Sequence, residues 1–333
     1  MKISLIICTY MRPKSLLTLL NSVNNQSLYP NEILIVDGSI DTNTKEMFST
    51  ESFENLRYYL VDKKDRGLTK QRNYGISKVS NDSEVIAFVD DDTKLSNIYF
   101  ETLINTFKED NSITGVGGVA LNEYRWQLKN SKVHYNNYKY YSFDGYVYKE
   151  GLRNVFRNFL GLQSNQFPGI MPKFSNGRTC GYPLTGKIYE VDLLVGMSFS
   201  FKREVFKNIN FSDYFEGYGL YEDADYSLRA LSFGKNVVNT NLHLEHYHAS
   251  SGRPNKYTYG KMVMRNGWYV WRVKYPSPSV KSRFKWNMIV FLLTIIRFSN
   301  ILTTKNKVAA FTESIGRTVG WCSLLFNKPK IEI

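Results

Sequence analysis

Cysteine is scarce in this chain. Cys8, Cys180 and Cys322 are odd in number, far apart and outside any CxxC spacing, which argues against a disulfide framework or a zinc site. A reducing, cytoplasmic compartment is therefore expected. A glycine-rich phosphate loop is also missing: the first apolar strand-like segment, Ile3–Cys8, runs into Thr-Tyr-Met-Arg-Pro, which is neither GxGxxG nor GxxxxGK[ST]. That weakens two alternatives, an NAD-type Rossmann enzyme and a nucleotidyltransferase. Long apolar runs are absent as well. The longest, Trp286–Ile296, contains Asn287 and Thr294 and stops at Arg297, short of the roughly 20 residues that span a bilayer. No transmembrane helix is expected, and no secretion signal either, because Ile3–Cys8 is short, lacks a charged head and is followed by Thr9 and Pro13.

Acids are nearly missing from the C-terminal quarter. Residues 253–333 hold 15 Lys and Arg against 2 acids, whereas the preceding residues hold 28 of each, so the net charge of +13 belongs to the tail. That tail also carries Trp268, Trp271, Trp286 and Trp321 among many aliphatic residues. The mixture suits an interfacial segment drawn to anionic lipid, and the expected location is peripheral, at the inner face of the cell membrane. Helices with solvated basic faces packed on the main domain are the competing reading. A nucleic-acid-binding protein is a further alternative, given the basic balance and 24 Tyr, but the excess is confined to the tail and no RRM, KH or helix-turn-helix signature occurs. No nucleic-acid partner is expected.

The chain does have ample core-forming material, 43% hydrophobic over 333 residues. Its first 120 residues alternate strand-like runs (Ile3–Cys8, Ile33–Val36, Val85–Val89, Ile113–Val119) with helical stripes such as Leu16, Leu20, Val23 and Phe100, Leu103, Ile104, Phe107. This is the pattern of an open α/β domain. Residues 122–189, rich in Tyr, Asn and Gly, read as an irregular insertion. Regular signals return at Val191–Phe201, in a helix from Glu222 to Phe233 and in a strand from Val237 to about Asn239. The expected organisation is one catalytic domain over 1–255 and a basic helical tail over 256–333, broken at Pro276 and Pro278.

Asp90-Asp91-Asp92 directly follows the strand Val85–Val89, at the end where open α/β sheets bind ligands. Three neighbouring carboxylates repel one another unless a cation is present, and Mg²⁺ or Mn²⁺ would resolve this while bridging to a diphosphate. A polar turn or helix cap is the simpler alternative for the triplet. Asp37 after Ile33–Val36, Thr9 to Pro13 after the first strand, and the turn-to-helix segment Asp65–Asn73 bring further polar groups to the same expected sheet edge.

Together these segments resemble the family 2 glycosyltransferases of the GT-A fold, over residues 1–120 and 191–255. The resemblance rests on Ser4–Pro13, Ile35-Val36-Asp37-Gly38-Ser39, Gly67-Leu68 with Arg72-Asn73, Phe88–Asp92 and Gly219–Asp223. It implies a Rossmann-like, mostly parallel central sheet and an inverting transfer of sugar from a nucleoside diphosphate, UDP or dTDP, to a glycan or lipid-linked glycan. It places Thr9 and Arg12 beside base and diphosphate, Asp37 on the pyrimidine, and Arg72, Asn73, Asp90 and Asp91 on the donor. Asp92 becomes a metal ligand, and Asp223 the general base, with Glu222 its neighbour. Family members often have a second Asp where this chain has Gly38. In the late segment Leu244–Arg253, His246 or His248 would complete the metal site, while Ser251 and Arg253 belong to a loop over the diphosphate. Gly196, in Val195–Ser200, is carried as an acceptor-side residue.

Overall fold

The computed structural model describes residues 1–248 and 253–332, which divide into two compact units: 1–124 with 184–253, and 125–183 with 254–333. The first part of the chain runs β1 (Ile3–Thr9), α1 (Pro13–Asn24), β2 (Glu32–Asp37), α2 (Asn43–Thr50), β3 (Leu56–Leu60), α3 (Leu68–Lys78), β4 (Val85–Val89), β5 (Thr93–Leu95), α4 (Tyr99–Glu109) and β6 (Ile113–Ala120). Next come β7 (Trp126–Leu128), β8 (Tyr140–Phe143), β9 (Tyr146–Lys149) and α5 (Leu152–Phe159). The chain then returns through β10 (Ile188–Val191), β11 (Ser198–Lys202), α6 (Arg203–Phe206), α7 (Glu222–Ala230) and β12 (Lys235–His246). It ends in α8 (Lys256–Lys274), α9 (Val280–Thr303) and α10 (Lys307–Phe326).

The first unit is built on one nine-stranded sheet of order β10-β12-β6-β11-β4-β1-β2-β3, with β5 paired to β12. The β1–β2, β2–β3, β1–β4 and β6–β12 pairs are parallel, while β5, β10 and β11 run against the rest. Strands β1, β2 and β4 are buried along nearly their whole length because the sheet is covered on both faces, so they read as continuous apolar runs. Their cover includes α1, with Leu16, Leu19, Leu20 and Val23 buried, and α4, with Phe100, Leu103, Ile104 and Phe107 buried. Pro13 sits in the first turn of α1, where its missing N–H costs nothing. Gly75 lets α3 approach the sheet: a Cβ there would lie 2.7 Å from Ile6 Cγ2.

In three places the structure departs from the sequence expectation. Strand β12 extends to His246 instead of stopping near Asn239, because a register shift between Val238 and His243 absorbs the polar Asn-Thr-Asn stretch and lets pairing with β6 and β5 resume. The stretch 122–189 is less irregular than expected. It holds a three-stranded antiparallel sheet, β7-β9-β8, and α5. Asp144 and Gly145, both at positive φ, form the two-residue turn between β8 and β9, and this Asp-Gly hairpin signal was present in the sequence. Trp126 packs on Tyr141, Phe143 and Tyr148 in that sheet and donates its indole N–H to the Gly181 carbonyl.

The third departure concerns the tail. Its helices do break across Pro276 and Pro278, but α9 continues past Arg297 for a total of 24 residues and is long and apolar enough by length and composition to cross a membrane. The tail tryptophans also differ from expectation. Trp271 and Trp286 are buried and stacked at 5.4 Å with a 9° interplanar angle, and Trp321 donates to Asn287 Oδ1 at 2.9 Å. They hold the second unit together.

Candidate active site

Parallel pairing aligns Thr9 with Asp37 at the C-terminal ends of β1 and β2. The backbone there is stitched tightly: Gly38 N–H donates to the Thr9 carbonyl, and the Gln71 amide donates to both the Thr9 and Val36 carbonyls. Gln71, which sequence reasoning missed, thereby holds α3 against two strand ends. It also bears on Gly38, since a Cβ at that position would come 2.9 Å from Gln71 Oε1. Asp37 is fully buried; its carboxylate accepts from the Ser39 N–H and from the Tyr58 hydroxyl, each at 2.8 Å. In this conformation the carboxylate expected to face a pyrimidine is turned to protein partners.

After β4, the three aspartates take three different environments. Asp91 accepts from Thr9 Oγ1 at 2.7 Å and from Arg12 Nη1 at 2.9 Å, and burial pushes its pKa up to about 6 against the pull of Arg12. It ties the loop after β1 to the loop after β4. Asp90 is more open, with Arg72 Nη2 at 3.8 Å and His246 Nε2 at 3.9 Å; burial raises its pKa while Arg72 opposes. Asp92 is buried, with His246 Nε2 3.4 Å from Oδ1 and Arg12 Nη1 3.7 Å from Oδ2.

His246 reaches this cluster through strand pairing. It lies opposite Thr93 in the β12–β5 ladder, and the next residue, Tyr247, donates its N–H to the Asp92 carbonyl at 2.9 Å. Neither the short β5 nor the extension of β12 was legible in the sequence. Burial works against the charged imidazole, but Asp92 and Asp90 prevail and the pKa of His246 is raised. On its other side, Nδ1 lies 3.2 Å from Glu123 Oε1, which is also 2.8 Å from His248 Nε2. His248 is more exposed and at positive φ.

One ligand atom from each of Asp90, Asp92 and His246 falls within 4.8 Å of the others, and the same is true of Glu123, His246 and His248. The first set, two carboxylate oxygens and one imidazole nitrogen, fits Mn²⁺ or Mg²⁺, whose ligands sit at about 2.0–2.2 Å. Glu123 belongs to the surroundings of that set, since a hydrogen bond at Nδ1 leaves Nε2 for the cation.

Arg72 is almost completely buried, its guanidinium 4.7–5.6 Å from the ring centroids of Phe88, Phe199 and Phe211 and paired with Glu222. Burial pushes the Glu222 carboxyl up to about 8, with Arg72 opposing. Arg72 thus meets the expected donor side through Asp90. Asn73 is spent on structure: its amide exchanges two hydrogen bonds of 2.9 Å with the Phe211 backbone. Asp225, in the same helix as Glu222, is fully buried against Arg229.

Asp223, in the first turn of α7, accepts from Gly196 N–H at 2.9 Å and from Ala224 N–H at 2.8 Å. Space around Gly196 is close: a Cβ there would meet Glu222 Oε1 at 3.3 Å and both Arg72 Nη2 and Asp223 Cβ at 3.4 Å, a tight contact that small side-chain shifts could relieve. Tyr221, just before the helix, holds a left-handed conformation with φ of 72°. Arg253 is exposed, and Ser251 lies outside the described residues.

The family model described as Glycosyl transferase family 2 matches residues 4–164. A stretch of 124 residues, 36% of the chain, is 27% identical to the glucosyl-dolichyl phosphate glucuronosyltransferase of Haloferax volcanii. The match spans only 39% of that relative's length. Among solved structures, S. aureus TarS 1-349 in complex with UDP matches over 98% of this chain and 91% of its own, with a TM-score of 0.50 and 15% identity. That likeness concerns the fold, a GT-A-type α/β architecture.

Proposed function

We propose that this protein is a family 2 glycosyltransferase that moves a sugar from a nucleoside diphosphate donor, UDP or dTDP, to a hydroxyl of a glycan or lipid-linked glycan, with inversion at the anomeric carbon. The observation that carries the reading is the meeting of Asp90, Asp92 and His246, from two separate chain segments, with Asp223 bonded to Gly196, the neighbour of Met197, whose carbonyl accepts the Asp90 N–H. A bound Mn²⁺ or Mg²⁺ would supply charge stabilisation to the departing diphosphate. Asp90, Asp92 and His246 would hold it, with His248 the alternate and Glu123 orienting the imidazole.

The protein's own groups do the rest. Asp223 accepts the acceptor's hydroxyl proton while that oxygen attacks the anomeric carbon opposite the phosphate leaving group. The two backbone N–H groups on its carboxylate fix its orientation and leave lone pairs for the incoming O–H. Thr9, Arg12 and Asp91 shape the loop beside the diphosphate, and Asp37 with Tyr58 and Ser39 forms the wall on the base side. Arg72 and Asn73 support the donor side from behind. Gly196 and Glu222 lie on the acceptor side, and Ser251 and Arg253 belong to the covering loop.

The named substrate of the Haloferax volcanii relative favours a lipid-linked acceptor. With the basic tail, this supports work at the inner, cytoplasmic face of the cell membrane, in assembly of a cell-surface polysaccharide or glycoconjugate. UDP is the first donor nucleotide to test, since TarS was solved with it.

The test is a donor screen by thermal stabilisation with Mn²⁺, in which a ligand at 100 times its Kd adds about 2.7 kcal/mol. A UDP- or dTDP-sugar is expected to stabilise the wild type, Asp92→Ala to abolish the Mn²⁺-dependent part, and His246→Ala to weaken it. If no nucleotide sugar stabilises the wild type, the donor reading fails; if Asp92→Ala leaves Mn²⁺ affinity unchanged, the metal assignment fails.

A further inference from the structure

We propose that the outer face of the α9–α10 hairpin lies in the headgroup region of an anionic bilayer. The inference rests on the peripheral-membrane reading above and names the surface that performs it. On α9, Phe284, Phe291, Ile295, Phe298 and Leu302 fall within an arc of about 60° at 3.6 residues per turn. On α10, Phe311, Ile315, Val319 and Phe326 fall within an arc of about 80° by the same geometry. All nine side chains are between 38% and 91% exposed. The helices run antiparallel, with Arg297 bonded to Glu313 and Trp321 to Asn287, and the Phe298 and Phe311 rings are 6.3 Å apart. The two stripes therefore join into one apolar face, larger than isolated surface residues account for.

Charge identifies the occupant. Exposed basic residues frame this face at both ends: Lys281 and Arg283 at the start of α9 with Lys328 and Lys330 after α10, and Lys305 and Lys307 at the hairpin turn. Only two acids occur in residues 253–333, and one of them, Glu313, is buried between Arg297 and Arg317. An apolar stripe with lysines reaching outward at its ends suits acyl chains beneath anionic headgroups. A second copy packed on the same face would bring the framing lysines of the two chains together without acids to meet them. Spanning is disfavoured because it would carry the Arg297–Glu313–Arg317 cluster to membrane depth, and the opposite side of α9 already packs Trp286, Ile289 and Val290 inside the unit.

Cys322 provides the probe. It is exposed on the α10 stripe, whereas burial pushes the Cys8 and Cys180 thiols up to about 12, so a water-soluble maleimide at neutral pH reads Cys322. The full chain is mixed with vesicles of phosphatidylglycerol and phosphatidylcholine in equal parts, or of phosphatidylcholine alone, and both sedimentation and alkylation rate are followed. The expected result is cosedimentation with a severalfold slower alkylation on the anionic vesicles only. A Phe291→Gln/Phe298→Gln/Phe311→Gln variant, folded by its melting curve, is expected to stay in the supernatant. Cosedimentation with Cys322 reacting at its free rate would overturn the face while leaving the membrane reading intact. No cosedimentation of the wild type would overturn both. Protection of Cys322 without vesicles, together with a dimer in analytical ultracentrifugation, would assign the face to a second copy.

Discussion

At the scale of single residues, neighbouring carboxylates in this protein divide their tasks by environment. Asp91 is buried on Thr9 and Arg12, Asp92 faces His246, and Asp223 is held by two backbone N–H groups. Changing Asp223 to Asn retains size and most hydrogen bonding but removes the proton acceptor proposed here, so turnover is expected to fall by roughly 10²–10⁴ while donor affinity is unchanged. Near-normal turnover at saturating acceptor would move the base elsewhere. Glu222 supplies a pH test. Its pKa in the folded protein is raised to about 8, chiefly by burial, so the protein binds this proton more tightly folded than unfolded. The resulting stability is present at low pH and lost as pH rises through about 8. Melting temperatures of the wild type are expected to decline from about pH 5 to about pH 8 and to level off above it, and Glu222→Gln to show a flatter profile over that range. Parallel profiles would mean that Arg72 keeps Glu222 ionised throughout.

At the scale of elements, the site depends on how closely α3 and β12 approach their neighbours. Gly75 sets the first approach, and overfilling a packed contact costs about 1–3 kcal/mol. Gly75→Ala is therefore expected to lower stability by that order in chemical denaturation, because Ile6 is a stiff β-branched residue in the middle of β1. An unchanged denaturation midpoint would show that the helix shifts freely. The second approach, β12 onto β5, carries His246 to Asp92. Strands β1, β2, β4 and β6 were readable within a residue or two because continuous apolar runs have few alternatives. Strand β5 was not readable, because three residues of Thr-Lys-Leu carry no periodicity and exist as a strand only by pairing.

At the scale of the whole molecule, the tail's basic excess and its apolar hairpin face are separate properties of one unit. If lipid attraction is partly electrostatic, vesicle binding is expected to weaken as salt rises, since screening acts within about 8 Å at physiological ionic strength. Sedimentation unaffected by salt would make the apolar face sufficient alone. Deleting residues from 281 onward, which on sequence grounds isolates the tail's contribution, removes Trp286 from its stack on Trp271 and the partners of α8. The truncated protein is expected to melt at a lower temperature in that unit, so face substitutions are the cleaner test. An unchanged melting profile would show that α8 is supported without the hairpin.

Legible in the sequence alone were the α/β class, the strand ends that carry Thr9, Asp37 and Asp90–Asp92, the helix start that carries Asp223, and the confinement of positive charge to the tail. These follow from local periodicity and from residue order, which need no knowledge of distant contacts. Tertiary contacts settled which histidine meets the aspartates, that Glu123 stands behind it, that Arg72 and Asn73 are internal supports, and that two of the tail's tryptophans, Trp271 and Trp286, are core residues. Each of these depends on contacts between segments far apart in the chain, where register, burial and available space choose among side chains that look equivalent in sequence.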